Sequence, residues 1–116
     1  MKIEVKGRNT PVTDDLRAMV ERRFKKVSAQ VSELATLEVE LREERNPAIS
    51  ESYIAEATLF LKGTTLRASD RARDMAHAVH LCEEELSRQV KRHRDKRRAR
   101  RAARAMSAEG RIQPAA

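Results

Sequence analysis

Residues 36–69 read TLEVELREERNPAISESYIAEATLFLKGTTLRAS, and the alternation within this stretch decides the fold. Leu37, Val39 and Leu41 fall on one face of an extended chain, with Glu38, Glu40 and Arg42 on the other, the period-two pattern of a half-buried strand. Ala55, Ala57, Leu59 and Leu61 repeat that phase in YIAEATLFL, after an RNPAISES segment in which Pro47 breaks regular structure. KGTT then turns the chain into a short fourth strand, TLRAS. Strands so close in sequence fit an antiparallel meander.

Upstream, KIEVKG alternates in the same way, with Ile3 and Val5 inward and Lys2, Glu4 and Lys6 outward, and ends at Gly7. Thr13 is placed to cap a helix, since its hydroxyl can accept from the free N–H groups of the first turn, and Asp14 and Asp15 suit the positive end of the helix dipole. Leu16, Met19, Val20, Phe24, Val27 and Val31 recur at helical spacing and predict a helix over residues 14–30.

Downstream, Ser69 or Asp70 is expected to cap a second helix that starts at Arg71 and buries Met75, Val79, Cys82, Leu86 and Val90. The stripe stops there, because the positions that would continue it are Arg94 and Arg97 or Arg98. Arg, Lys and Ala nonetheless keep the composition helix-forming through Met106. A helix over residues 71–106 would be about 54 Å long, against a radius of gyration of about 13 Å for a compact domain of this size. Its distal part is therefore expected to project or fray, and SAEGRIQPAA reads as a disordered terminus or the start of a linker. The element order is β-α-β-β-β-α, an α+β two-layer sandwich with two helices on one face of a four-stranded sheet. Residues 1–98 form the expected domain and 99–116 a basic helical extension with a tail.

The chain has 116 residues, only 3% of them aromatic and none Trp, so its core is aliphatic and small. Charge is the more telling property. Residues 1–87 carry 14 basic and 16 acidic groups, net −2, whereas residues 88–116 carry 11 basic and 2 acidic groups, net +9. Such asymmetry points to a polyanionic partner. The single cysteine excludes an internal disulfide, and MKIEVKG has no apolar core of a signal peptide. No run is apolar enough to cross a bilayer. A cytoplasmic location is expected.

The outer face of the sheet reads as a poor platform for nucleic acid. It carries Glu4, Glu38, Glu40 and Glu56, partly offset by Lys2, Lys6 and Arg42, with Phe60 as its lone aromatic, whereas sheets that read single strands stack bases on several aromatics. The helices look different. Arg22, Arg23, Lys25 and Lys26 on the first, with Arg88, Lys91, Arg92 and Arg94 on the second, can form one basic surface, which Arg8 and Arg73 extend. Lys96, Arg97 and Arg98 continue it along the helix. Cations without aromatics suit phosphate contact and shape recognition of folded or double-helical RNA. Each also has a plain reading as a solvated helix position. The run over residues 91–104 has no large apolar residue to insert into a membrane.

Catalysis has little support. There is no Gly-rich phosphate loop and no metal-ligand spacing. His77 and His80 are three apart without further ligands and read as surface histidines, and Cys82 falls on the apolar stripe as a small core residue. Glu84 is expected to pair with Arg88 at i, i+4. No catalytic residue, metal, cofactor or small-molecule substrate is expected.

GRN after the first strand, VTDDLR at the first helix, LRAS before DM, and LSRQVKRH along the second helix together resemble the ribosome hibernation promoting factors. That group includes the ribosome-associated inhibitor proteins, once called sigma modulation proteins. The resemblance covers about residues 1–98, and it lies in the ordered set rather than in any one strict motif. It implies a non-enzymatic stress or stationary-phase factor that binds the small ribosomal subunit between head and body, in the channel of mRNA and of A- and P-site tRNA. Occupying that channel would block initiation and preserve idle ribosomes. Basic helix faces contact rRNA in the family, and they carry over to Arg22, Arg23, Lys25, Lys26, Arg88, Lys91, Arg92, Arg94 and Lys96. One departure is Ala76-His77-Ala78-Val79-His80, where family members often have Tyr-Ala-Ala-Ile-Asp. Long relatives add a C-terminal domain that dimerises ribosomes, and nothing after Met106 resembles it. The resemblance thus leads one to expect either a short form or the N-terminal portion of a longer protein, monomeric by itself. Two other readings stay open: a general binder of double-stranded RNA or DNA, and a structural ribosomal protein with a basic extension.

Overall fold

The alternation in residues 36–69 becomes three antiparallel strands, and the parallel strand beside them is the first of the chain. The computed structural model describes residues 1–112, with side chains through residue 107. Its elements are β1 (Lys2–Arg8), α1 (Asp14–Arg23), α2 (Lys25–Ser28), β2 (Thr36–Glu43), β3 (Tyr53–Leu61), β4 (Thr64–Ala72) and α3 (Met75–Ile112). The sheet order is β1-β2-β3-β4. β1 pairs in parallel with β2 from Lys2↔Thr36 to Arg8↔Arg42, and β2–β3 and β3–β4 are antiparallel. The expected α+β sandwich is borne out.

Its core lies between the sheet and the helices. Val5, Leu37, Val39, Leu41, Ala55, Ala57 and Leu59 meet Val20, Phe24, Val27, Val79, Cys82, Leu86 and Val90, all buried. Ala55, Ala57, Ala68 and Ala72 lie on β3 and β4, the strands against which α3 packs, and small side chains there let a helix approach the sheet closely. The β3–β4 turn is two residues, Lys62 and Gly63. Gly63 adopts φ 79°, a left-handed conformation that glycine reaches without a Cβ penalty.

Three boundaries differ from the sequence reading. The first helix breaks at Phe24 (φ −89°, ψ 3°) into α1 and α2; Phe24 and Val27 are both fully buried, while Lys25 and Lys26 remain exposed. Thr13 caps α1 as expected, its hydroxyl accepting from the Leu16 N–H at 3.1 Å. β4 runs on to Ala72 because β3 offers backbone partners along its whole length, ending with Tyr53↔Ala72. Ser69 and Asp70 are therefore strand residues, and Asp74 caps α3 instead, its carboxylate accepting from the His77 N–H at 2.7 Å.

The longer β4 also changes the outer face. Arg71 joins Arg67, Lys2, Lys6 and Arg42 there, so the face is mixed rather than partly acidic. Arg42 lies 3.6 Å from both Glu40 and Glu56, and Arg71 lies 3.0 Å from Glu44. Ile54, between Arg42 and Arg71 in register, is only 3% exposed although it is no part of the main core, as expected when arginine stems lie over an apolar side chain.

α3 spans 38 residues, about 57 Å of helix. Val90 is its last buried side chain, and every residue from 95 to 107 is exposed. The projection stretches the described chain to 75 × 28 × 18 Å with a radius of gyration of 19.1 Å. The helix continues past Ser107, where the sequence reading expected disorder, to Ile112; residues 113–116 of that predicted tail lie outside the described residues.

Candidate nucleic-acid interface

α1 and α2 run alongside α3, so cations spaced far apart in sequence meet across one groove. Lys26, Gln30, Glu83, Glu84, Ser87, Arg88, Lys91 and Arg94 line it, and its volume is about 350 Å³. Glu83 is 8% exposed and accepts from the Ser87 hydroxyl at 2.8 Å. Lys26, Lys91 and Arg94 have no carboxylate within ion-pair distance among the described residues. The Arg94 Nε is buried and has no hydrogen-bond partner. A buried donor left unpaired costs free energy until an acceptor arrives, which makes this end of the groove receptive to an anion.

A second contact joins the helices higher up. The His80 Nε2 lies 2.7 Å from Glu84 Oε1, and the Arg23 Nη1 lies 3.4 Å from His80 Nδ1. A guanidinium only donates, so with the neutral ring Nδ1 accepts from Arg23 and Nε2 donates to Glu84. This corrects the expected Glu84–Arg88 pair, because His80 takes Glu84. Arg88 turns instead to Glu85, donating to its Oε2 from Nε at 3.1 Å and Nη2 at 2.7 Å. Hydrogen bonds from Arg88 and Gln89 hold the Glu85 carboxyl below the usual carboxylate range, and the same pairing raises Arg88. Arg92 lies 3.7 Å from Glu85 as well. Arg88 and Arg92 therefore meet an anionic partner partly neutralised, unlike Lys91 and Arg94.

The remaining predicted cations do not form one patch. Arg22 and Arg23 border a shallow recess with Met19, and Lys25 is exposed beside it. Arg8 is the last residue of β1 and pairs with Arg42, and Arg73 follows Ala72, which pairs with Tyr53. α3 then descends antiparallel to β4, so both arginines sit at the opposite end of the sheet from residues 88–98. With about 3.3 Å per strand residue, that separation is on the order of 20 Å. Lys96, Arg97 and Arg98 are all exposed beyond the last buried residue of α3; Lys96 and Arg97 border one cleft, which Arg98 does not line.

Two features escaped the sequence. Lys62, in the β3–β4 turn, faces Arg92, Lys96, Arg97 and Arg100 across a cleft of about 940 Å³; a KG turn marks a hairpin, but nothing local says that α3 passes it. Asp70 occupies an inward position of β4 between Ala68 and Ala72, with Oδ2 buried and unpartnered. Burial first, and then the neighbouring Glu85 charge, raise its pKa despite Arg88 nearby.

Among the described residues no three His, Cys, Asp or Glu side chains are grouped to hold a metal. Cys82 is fully buried and lies 3.5 Å from the Ala68 carbonyl. Burial pushes its thiol up to about 12, the opposite of what a nucleophilic cysteine needs.

Comparisons with known proteins cover the same part of the chain. The family described as Sigma 54 modulation protein / S30EA ribosomal protein matches residues 3–98. A ribosome hibernation promoting factor of Salmonella typhimurium is 30% identical over 96 residues, 83% of this chain and 96% of that protein. A ribosome hibernation promotion factor of Picosynechococcus is 27% identical over 97 residues, 83% of this chain and 50% of that protein. The chain thus spans nearly all of the first relative's length and about half of the second's. The Protein Y N-terminal domain of Thermus thermophilus superposes with a TM-score of 0.70 at 26% identity, covering 80% of this chain and 99% of that one. A ribosomal subunit interface protein from Coxiella burnetii shares the fold, with a TM-score of 0.69 at 19% identity and coverage of 82% and 99%.

Proposed function

The chain belongs to the Sigma 54 modulation protein / S30EA ribosomal protein family, and from that premise we propose that it is a ribosome hibernation factor. It binds small-subunit rRNA in the channel used by mRNA and by A- and P-site tRNA. Occupying that channel inhibits translation and keeps idle ribosomes intact during stress or stationary phase. The protein acts by occupancy, not catalysis, and it works in the cytoplasm, where ribosomes are. No described helix is long and apolar enough to cross a membrane.

The observation that carries this reading is the groove between α2 and α3. Lys26, Lys91 and Arg94 converge there with no carboxylate within ion-pair distance among the described residues, since Glu83 and Glu84, which also line the groove, are engaged by Ser87 and His80, and the Arg94 Nε is a buried donor without an acceptor. Phosphate oxygens supply that acceptor. The scarcity of aromatics fits recognition of an RNA surface by shape and backbone rather than by base stacking. If about six phosphates are contacted, affinity falls by roughly a thousandfold or more between about 50 and 200 mM salt.

Stationary-phase lysate sedimented through a sucrose gradient and probed for the protein tests the proposal. The protein is expected on idle ribosomes; its presence on translating polysomes and absence from idle ones would overturn the reading. The cationic run of distal α3 favours one competitor, a general polyanion binder. Excess duplex RNA or DNA separates the two, because a hibernation factor stays on the ribosome and a general binder is stripped from it.

A further inference from the structure

We propose that α3 carries a second RNA-backbone site on the side away from the α2–α3 groove, so that one chain bridges two RNA segments. The site is the cleft between the β3–β4 turn and α3. Lys62 forms one wall, Arg92, Lys96, Arg97 and Arg100 form the other, and no carboxylate of the described residues lines it. Leu66 contributes an apolar surface. Among the described residues, only Arg92 of these cations has a carboxylate within ion-pair distance, Glu85 at 3.7 Å.

The arrangement of the charges selects a polymer over a small anion. Arg92, Lys96 and Arg100 recur every four residues, a step of about 6 Å along the helix. A nucleic-acid strand carries a charge every ~3.4 Å of its axis, so it can meet such a row repeatedly. One small anion can meet only one end of it.

The position of the cleft makes it a separate site. Lys91, in the α2–α3 groove, and Arg100, in the cleft, are nine residues apart, which at 3.6 residues per turn places them about 180° apart around α3. The groove lies against α2, whereas the cleft lies against the sheet's lower edge. One RNA backbone cannot follow both without wrapping the helix, so two segments are held with α3 between them. This inference rests on the ribosome-binding reading and adds the geometry of the RNA that the protein fits: two backbones separated by the width of a helix.

The test uses the full chain and two short RNA duplexes, one immobilised and one fluorescent, with ribosome co-sedimentation measured in parallel. The wild type is expected to capture the fluorescent duplex on the immobilised one. Lys96→Glu with Arg100→Glu should cut that capture by about tenfold or more while leaving binding of a single duplex within a few-fold, since the groove's contacts remain. Lys91→Glu with Arg94→Glu should abolish capture from the other side. Lys2→Glu with Arg45→Glu makes the same change in net charge away from both sites and should leave capture intact. Capture that survives the Lys96/Arg100 change, or that falls equally in the Lys2/Arg45 control, overturns the proposal. So does a wild type that sediments with ribosomes yet never bridges. A wild type that bridges duplexes but does not sediment with ribosomes keeps the second site and refutes the hibernation reading instead.

Discussion

Between residues 75 and 90, α3 buries Ala78, Val79, Cys82, Leu86 and Val90; between residues 95 and 107, the same helix exposes every side chain. The first half is helical because the sheet and the α1–α2 arm cover one of its faces. The second half has only intrinsic propensity, which Ala and Arg supply. Against that, like charges at i, i+3 and i, i+4, such as Arg97 with Arg100 and Arg101, repel. Polyanion binding removes that repulsion, so the distal half gains most from a partner and the proximal half least.

The contrast is sharpest in cysteine chemistry. At mildly alkaline pH, alkylation of Cys82 in the native protein should be suppressed by roughly a thousandfold relative to the unfolded chain, through burial and a thiol at about 12. In a Cys82→Ala background, Met106→Cys should label at the rate of a free thiol. Equal rates would mean that the two halves are not packed differently.

Truncating the core is next in size. Leu86→Ala is expected to cost about 2–5 kcal/mol in urea unfolding, and Met106→Ala less than about 0.5 kcal/mol. A comparable loss at Met106 would show the distal helix docked on the domain.

Removing residues 99–116 should leave the thermal midpoint of the domain unchanged but weaken ribosome binding. If Arg100, Arg101 and Arg104 each meet one phosphate, the slope of log affinity against log salt falls by about 2–3. An unchanged slope would leave the distal half a solvated end.

The smallest effect concerns Asp70. Its folded pKa is raised, so the charged form is penalised on folding: stability is gained as pH falls through that pKa and is lost as pH rises. Asp70→Asn should therefore raise the midpoint by up to a few degrees at neutral pH, and the gain should fade in acid. A lowered midpoint at neutral pH would mean that the carboxylate serves the fold.

Much of this was legible beforehand. The apolar sets of β2, β3 and the proximal α3, the Thr13 cap and the point where the stripe ends at Val90 are all local patterns. The misread cap and the misread ion pair share one cause. Ser69, Asp70 and Asp74 are all competent helix caps, and only the pairing of β4 with β3 as far as Tyr53↔Ala72 leaves the task to Asp74. Glu84 and Glu85 are both within helical reach of Arg88, and His80, held across α1, decides between them.

The sequence by itself determined the order and type of the main strands and helices, though not all their ends, which faces are apolar, and that the positive charge gathers in residues 88–116, because periodicity and composition are properties of the chain alone. Only the tertiary structure decided which charges stand together: Lys26 with Lys91 and Arg94, Lys62 with Lys96 and Arg100, and Arg8 and Arg73 far from both. Those groupings follow from strand register and from the path of α3 across the sheet. A shift of one residue in either would regroup the charges without altering the pattern in the sequence.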